Sequence, residues 1–98
     1  MKKVPTFKLL LQPITENAEG LPNFKWASPE IGTRYQLGGD PSFIQASHHP
    51  RCPECLADMV FYAQLDSLSD DWMIGDCGMI YIFVCFECNQ VSSFVQSF

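Results

Sequence analysis

Cys52-Pro53-Glu54-Cys55 and Cys85-Phe86-Glu87-Cys88 decide how this chain of 98 residues is read. In each quartet a tight turn lets two thiolates converge on one side of a loop, with backbone N–H groups able to point at the sulfurs. Two such turns supply four sulfurs, the tetrahedral set that Zn²⁺ prefers, with Zn–S about 2.3 Å. The pairing predicts one structural Zn²⁺ held by Cys52, Cys55, Cys85 and Cys88. The stretch between the quartets is longer than a common zinc-finger linker, so it must carry structure of its own.

That stretch alternates. Met59, Phe61, Ala63 and Leu65 fall on one face of an extended segment, with Val60, Tyr62, Gln64 and Asp66 on the other. Met79 to Phe86 alternates with both faces apolar, which predicts a central strand covered on both sides. Phe61, Phe83 and Val84 are the expected core positions. Val91 to Phe98 reads as a third strand. If the first two pair antiparallel, both quartets meet at one end of the sheet, and the second turns the chain into the third strand. The expected fold is mostly β, an antiparallel sheet with a zinc-ribbon-like double cysteine knuckle, the alternative being a small α+β arrangement.

Upstream the signals are weaker. Phe7 to Gln12 has period-two alternation and predicts a first strand ended by Pro13. Residues 14–23 have loop chemistry, and Phe24-Lys25-Trp26 reads as a short extended piece with Trp26 as a core anchor. Gly38-Gly39-Asp40-Pro41 predicts a tight turn with positive φ. It lacks the following helix and lysine of a phosphate-binding loop. His48 and His49 precede the first knuckle. Four cysteines already fill a tetrahedral shell, so both histidines read as loop residues or as donors behind the ligands.

Composition sets outer limits. The chain is a single domain over residues 1–98, with an N-terminal strand and loop region (1–46) and a knuckle-bearing core (47–98). Apolar residues make up 47% of it, enough for a core, yet a chain this short usually needs a staple such as zinc. Five cysteines arranged as two C-x-x-C pairs and a free Cys77 fit a metal in a reducing compartment better than a disulfide framework. No apolar run follows the basic start as in a signal peptide, and none reaches the length of a membrane span. The expected location is cytoplasmic, without membrane contact.

A net charge of −5 favours basic partners and repels phosphates. Lys2, Lys3, Lys8, Lys25, Arg34 and Arg51 are scattered, so nucleic-acid binding through a zinc ribbon is the second choice. An enzyme ranks third. Four thiolates leave a zinc no open position for water, and both C-x-x-C motifs border strands rather than the helix N-terminus that activates a redox thiol. The leading expectation is a zinc-binding interaction module for a basic protein. Its candidate partner surface is the loop from Ser67 to Gly78, where Asp70, Asp71 and Asp76 ring Trp72 and Met73.

The run from Leu37 onward resembles the YwqG-like family of bacterial proteins. The matching pieces are Leu37-Gly38-Gly39-Asp40-Pro41-Ser42-Phe43-Ile44-Gln45, the first knuckle with Met59 to Ser67, Gly75 to Cys88, and Val95-Gln96. The resemblance implies a β-rich core and, in members that carry the cysteines, a zinc knuckle pair; it does not imply an enzyme activity. Some of those proteins resemble immunity proteins that pair with bacterial toxins, which implies an immunity or inhibitor role. Asp40 departs from the family pattern after the glycines.

Overall fold

The computed structural model describes residues 2–13 and 31–98. Four strands run in chain order: β1 (Gln36–Leu37), β2 (Val60–Asp66), β3 (Met79–Cys85) and β4 (Gln90–Gln96). They form one antiparallel sheet in the order β1-β2-β3-β4. The described helical structure is one short 3₁₀ turn, Asp70–Trp72, between β2 and β3. The mostly β, antiparallel expectation holds.

The sheet has a filled face and an open one. Phe61, Met79, Tyr81, Phe83 and Cys85 point to the filled face, where Cys52 and Met59 join them in the core. Phe43, Ile44 and Phe94 pack against this cluster. Ring contacts knit it together: Phe43, Tyr81, Phe83 and Phe94 lie with successive centroids 5.2–5.8 Å apart. Ile80, Ile82 and Val84 turn to the other face and are half-buried. This corrects two expectations: among the described residues β3 is not covered on both sides, and Val84 is not a core residue.

A bulge in β2 corrects a third. Phe61 pairs with Phe83, but Ala63 pairs with Ile82, so one extra residue sits between them. Strand side chains alternate, so a single inserted residue inverts every later one. Gln64 and Asp66 therefore face the core opposite Tyr81 and Met79, where strict alternation puts Ala63 and Leu65.

These inward polar groups do structural work. Residues 41–46 cross the filled face without joining a ladder, and buried backbone groups need partners. Side chains supply them. Gln64 accepts from Ser42 N at 3.0 Å, and Tyr81 donates to Ser42 O at 2.7 Å and accepts from Ile44 N at 3.2 Å. Gln96 accepts from Gln45 N and donates to Ala46 O, both at 2.9 Å. Burial raises the Tyr81 phenol pKa, which keeps it a donor.

Asp66 receives Arg34. The guanidinium donates through Nε at 3.0 Å and Nη2 at 2.6 Å, and the backbone N–H groups of Thr33 and Arg34 add two more bonds. Both side chains are almost wholly buried. Nη2 also donates to the carbonyl of Cys77, a residue held at φ 52°. Gln64 Nε2 donates to Arg34 O. Arg34 Nη1 is buried and has no partner among the described residues.

Three glycines are dictated by backbone or by space. Gly38 and Gly39 both have φ near 70°, as the turn expectation required, and the Gln36 amide caps them on Gly38 O and Asp40 O. At Gly78 a Cβ would overlap Ile74 O and lie 2.7 Å from Gln96 O.

The expected strand over 7–12 is not formed. Residues 2–13 are exposed and enter no ladder; Leu9, Leu10 and Leu11 line one wall of a groove whose other wall is Tyr35 to Asp40 with Ala63 and Leu65. A period-two pattern makes a strand only where an edge accepts it, and β1 offers two residues. The Phe24–Trp26 piece and Trp26 lie outside the described residues. The core draws from both sides of residue 47, since Phe43 and Ile44 pack against Tyr81 and its neighbours.

Two mutational outcomes follow from this packing. Phe83→Ala should cost about 3–5 kcal/mol in urea unfolding of the metal-loaded protein, and Val84→Ala only about 1 kcal/mol; equal costs would mean both faces are sealed. Asp66→Leu should cost about 3–5 kcal/mol, because it strands a buried guanidinium. The double change Arg34→Met with Asp66→Leu should recover most of that loss.

Candidate metal centre

The two knuckles occupy the same end of the sheet. The first precedes β2. Its loop is closed by Leu56 N donating to Cys52 O at 2.9 Å and Cys52 N donating to Ala57 O at 2.8 Å. Arg51 and Asp58 form a bridge just outside it. The second knuckle is the β3–β4 connection itself: Cys85 pairs with Gln90 across the hairpin, leaving Phe86 to Asn89 as the turn. Leu56 (φ 63°) and Asn89 (φ 56°) each follow a second cysteine and each adopt the left-handed conformation. Asn tolerates that region well. Leu does so at a cost, so the first knuckle is the more strained.

The four sulfurs of Cys52, Cys55, Cys85 and Cys88 lie within 4.8 Å of one another, and Cys55 Sγ is 3.8 Å from Cys85 Sγ. A disulfide needs about 2.05 Å, so these thiols are grouped without being bonded. Cys52 and Cys85 are buried, Cys88 is half-buried and Cys55 is exposed. Burial on the core side and one open flank suit a site that is filled from solvent and then fixed. These residues can hold one metal ion, and the four cysteines that the sequence singled out are the ones brought together.

The electrostatics of the thiols point the same way. Backbone N–H groups aimed at Cys52, first that of Cys55 and also that of Glu54 at 3.4 Å, outweigh burial and lower its pKa to about 7. Cys88 is pushed up to about 12, first by its contact with the Cys55 thiol and then by burial. At Cys55 the Ala57 N–H pulls downward, but Cys52 and burial overcome it and the pKa is raised. Crowded sulfurs cannot all be anionic without a cation. A bound metal supplies that charge and displaces the protons.

His48 and His49 stand apart from the cluster. They lie edge-on to aromatic rings, His48 on Phe94 and His49 on Phe43 and Phe83. Cys77 belongs to the opposite end, in the β2–β3 loop. That loop also carries Asp70, Asp71, Met73 and Asp76, all exposed, and Trp72, half-buried. Ser67 pins its base, its hydroxyl donating to Gly78 O at 2.7 Å and accepting from Ile74 N at 2.9 Å. Lys2 Nζ sits 4.9 Å from the Trp72 ring. The candidate partner residues thus share one loop, at the end of the sheet away from the metal ligands.

Sequence reasoning missed the Arg34–Asp66 and Gln64 clamp at the base of this loop. The available signal was a glutamine and an aspartate inside an otherwise apolar strand.

Over 61 residues, 62% of the chain, the sequence is 36% identical to the uncharacterized protein YpfL of Salmonella typhimurium. The chain spans about 14% of the length of that protein. No family model matches the chain, and no solved structure matches it. No helix among the described residues is long and apolar enough to cross a membrane.

Metal removal is expected to unfold or loosen the knuckle end. Replacing Cys52 or Cys85 by Ser should abolish stoichiometric metal and lower the thermal midpoint sharply, because binding free energy in so small a domain is folding free energy. Cys77→Ser should leave both unchanged. One metal per chain retained in the Cys52→Ser/Cys85→Ser double variant, read by elemental mass spectrometry, would remove the assignment.

Proposed function

We propose that the chain is a cytoplasmic zinc-stapled interaction module that binds a basic protein, in the manner of an immunity or inhibitor protein. The observation that carries the zinc assignment is the spacing of the sulfurs. Tetrahedral thiolates at about 2.3 Å from Zn²⁺ lie about 3.8 Å apart, the distance between Cys55 Sγ and Cys85 Sγ. Four protein ligands close the shell, so the metal's role is structural and no water is activated on it.

The partner assignment rests on charge and on the β2–β3 loop. A net charge of −5 steers basic partners toward the chain. Asp70, Asp71 and Asp76 surround a half-buried Trp72 and an exposed Met73 on a loop whose base is fixed. An anchoring ring inside an acidic rim is the usual composition of a binding hot spot. Nucleic-acid binding is disfavoured by the net charge of −5 and by the scatter of the cations, of which Arg34 is buried on Asp66.

The test is binding kinetics against the basic protein that co-purifies from the native host. Trp72→Ala should weaken binding by about 2 kcal/mol with zinc content intact. Lys at positions 70 and 71 should slow association, an effect that added salt masks. Unchanged affinity and on-rates in both variants would place the partner surface elsewhere.

A further inference from the structure

Sheets end in edges, and the two edges here differ. β1 is two residues long and is turned away by the Gly38-Gly39 bend. β4 is seven residues long, Gln90-Val91-Ser92-Ser93-Phe94-Val95-Gln96, and pairs with β3 in continuous register from Met79↔Gln96 to Cys85↔Gln90. Among the described residues no strand lies beyond it. Gln45 Nε2 reaches the backbone at Ser97 O, one residue past the strand.

Proteins protect such an edge with a lysine, a proline, a bulge or a short strand, since a bare row of N–H and C=O groups recruits other strands. β4 has none of these devices. Glu87 is the last acidic or basic side chain in the sequence, so residues 89–98 hold no Asp, Glu, Lys, Arg or His. In a chain of net charge −5 this is a stretch where two copies can meet without carboxylate facing carboxylate.

The strand is also close to a palindrome. An isologous contact requires a patch that is complementary to itself. A two-fold axis at Ser93 sets β4 antiparallel to its copy and pairs Gln90 with Gln96, Val91 with Val95 and Ser92 with Phe94, with Ser93 facing itself. Val91 and Val95 are 65% and 53% exposed on the open face of the sheet, and the pairing sets each against the other across the junction. Phe94 stays on the filled face, stacked on Tyr81 and Phe83.

The geometry points to β4 as a self-association edge: a second copy of this chain adds its β4 antiparallel about Ser93, extending one four-stranded sheet into a continuous sheet of two. The surface contains none of the four cysteines and no residue of the β2–β3 loop, so its failure would leave the proposed function untouched.

Sedimentation velocity of the metal-loaded chain over a concentration series should show a monomer–dimer equilibrium. Amide exchange in residues 90–96 should slow as concentration rises. Ser93→Lys and Ser93→Glu each place like charges face to face and should each raise the dimer dissociation constant about five-fold or more. An equimolar mixture of the two should recover association as a mixed dimer. Metal content equal to that of the parent shows that both variants fold. A strictly monomeric parent, exchange in β4 that ignores concentration, single variants that associate like the parent, or a mixture that gains nothing would each overturn the proposal.

Discussion

One sheet with three seven-residue strands must be held at both ends, because its single filled face cannot do so alone. Chains of this size bury a modest fraction of their surface, and their net stability is a small difference between large terms. The two ends are closed by different chemistry. At one, four thiols gather around a site for a metal ion. At the other, Arg34 lies in bidentate contact with Asp66 and binds the carbonyl of Cys77. Between them a polypeptide strap, residues 41–46, lies on the core and is fastened by Gln64, Tyr81 and Gln96 side chains instead of by a ladder. The division makes physical sense. Side-chain amides can satisfy an irregular segment that has no strand to pair with, and they fix it at defined points along β2, β3 and β4.

The two closures leave the two ends of the sheet chemically different. The knuckle end gathers four thiols in two tight turns. The β2–β3 loop rests on Ser67 and on the Arg34 clamp, and leaves Asp70, Asp71, Met73 and Asp76 exposed. A rigid scaffold with its variable chemistry at the opposite pole is how loops come to carry recognition. A metal held by the four thiols would fix the ends of β2 and β3 whose opposite ends form the two stems of that loop.

Much of this was legible from residue order. The C-x-x-C spacing located the four clustered thiols, and the alternation of Tyr81, Phe83 and Cys85 against Ile80, Ile82 and Val84 located β3 and its two faces. The turn at Gly38-Gly39 was readable because two glycines beside a proline have few other uses. Three things were not readable. The leucines at 9–11 have a strand pattern, but a pattern does not reveal whether an edge is waiting. Apolar residues on both faces of β3 suggested a second cover, and sequence does not say which face the strap will choose. The bulge was hidden because the extra residue, Tyr62, is itself a good strand former and no Gly or Pro marks the site. With the bulge missed, Gln64 and Asp66 were placed on the wrong face, and Arg34, 32 residues upstream of Asp66, had no visible partner.

The bulge and the ion pair explain each other. A strand that slips by one residue exposes the set it had buried, and in an all-apolar strand such as β3 that slip meets little resistance, since both faces are greasy. β2 is different. Past the bulge it presents Gln64 and Asp66 inward, each matched to groups that exist on only one side of the sheet: Ser42 N and Arg34 O for the amide, Arg34 and two backbone N–H groups for the carboxylate. Removing the extra residue at Tyr62 would carry Asp66 to the open face and leave a guanidinium in the core without its counter-charge, a state about as costly as truncating a core aromatic. A buried ion pair adds little to stability over a well-packed apolar pair. Its contribution here is selection: of the registers that the apolar residues of β2 and β3 would accept, it leaves one that the core can tolerate, and that register is the one that brings Cys52 and Cys55 level with Cys85 and Cys88.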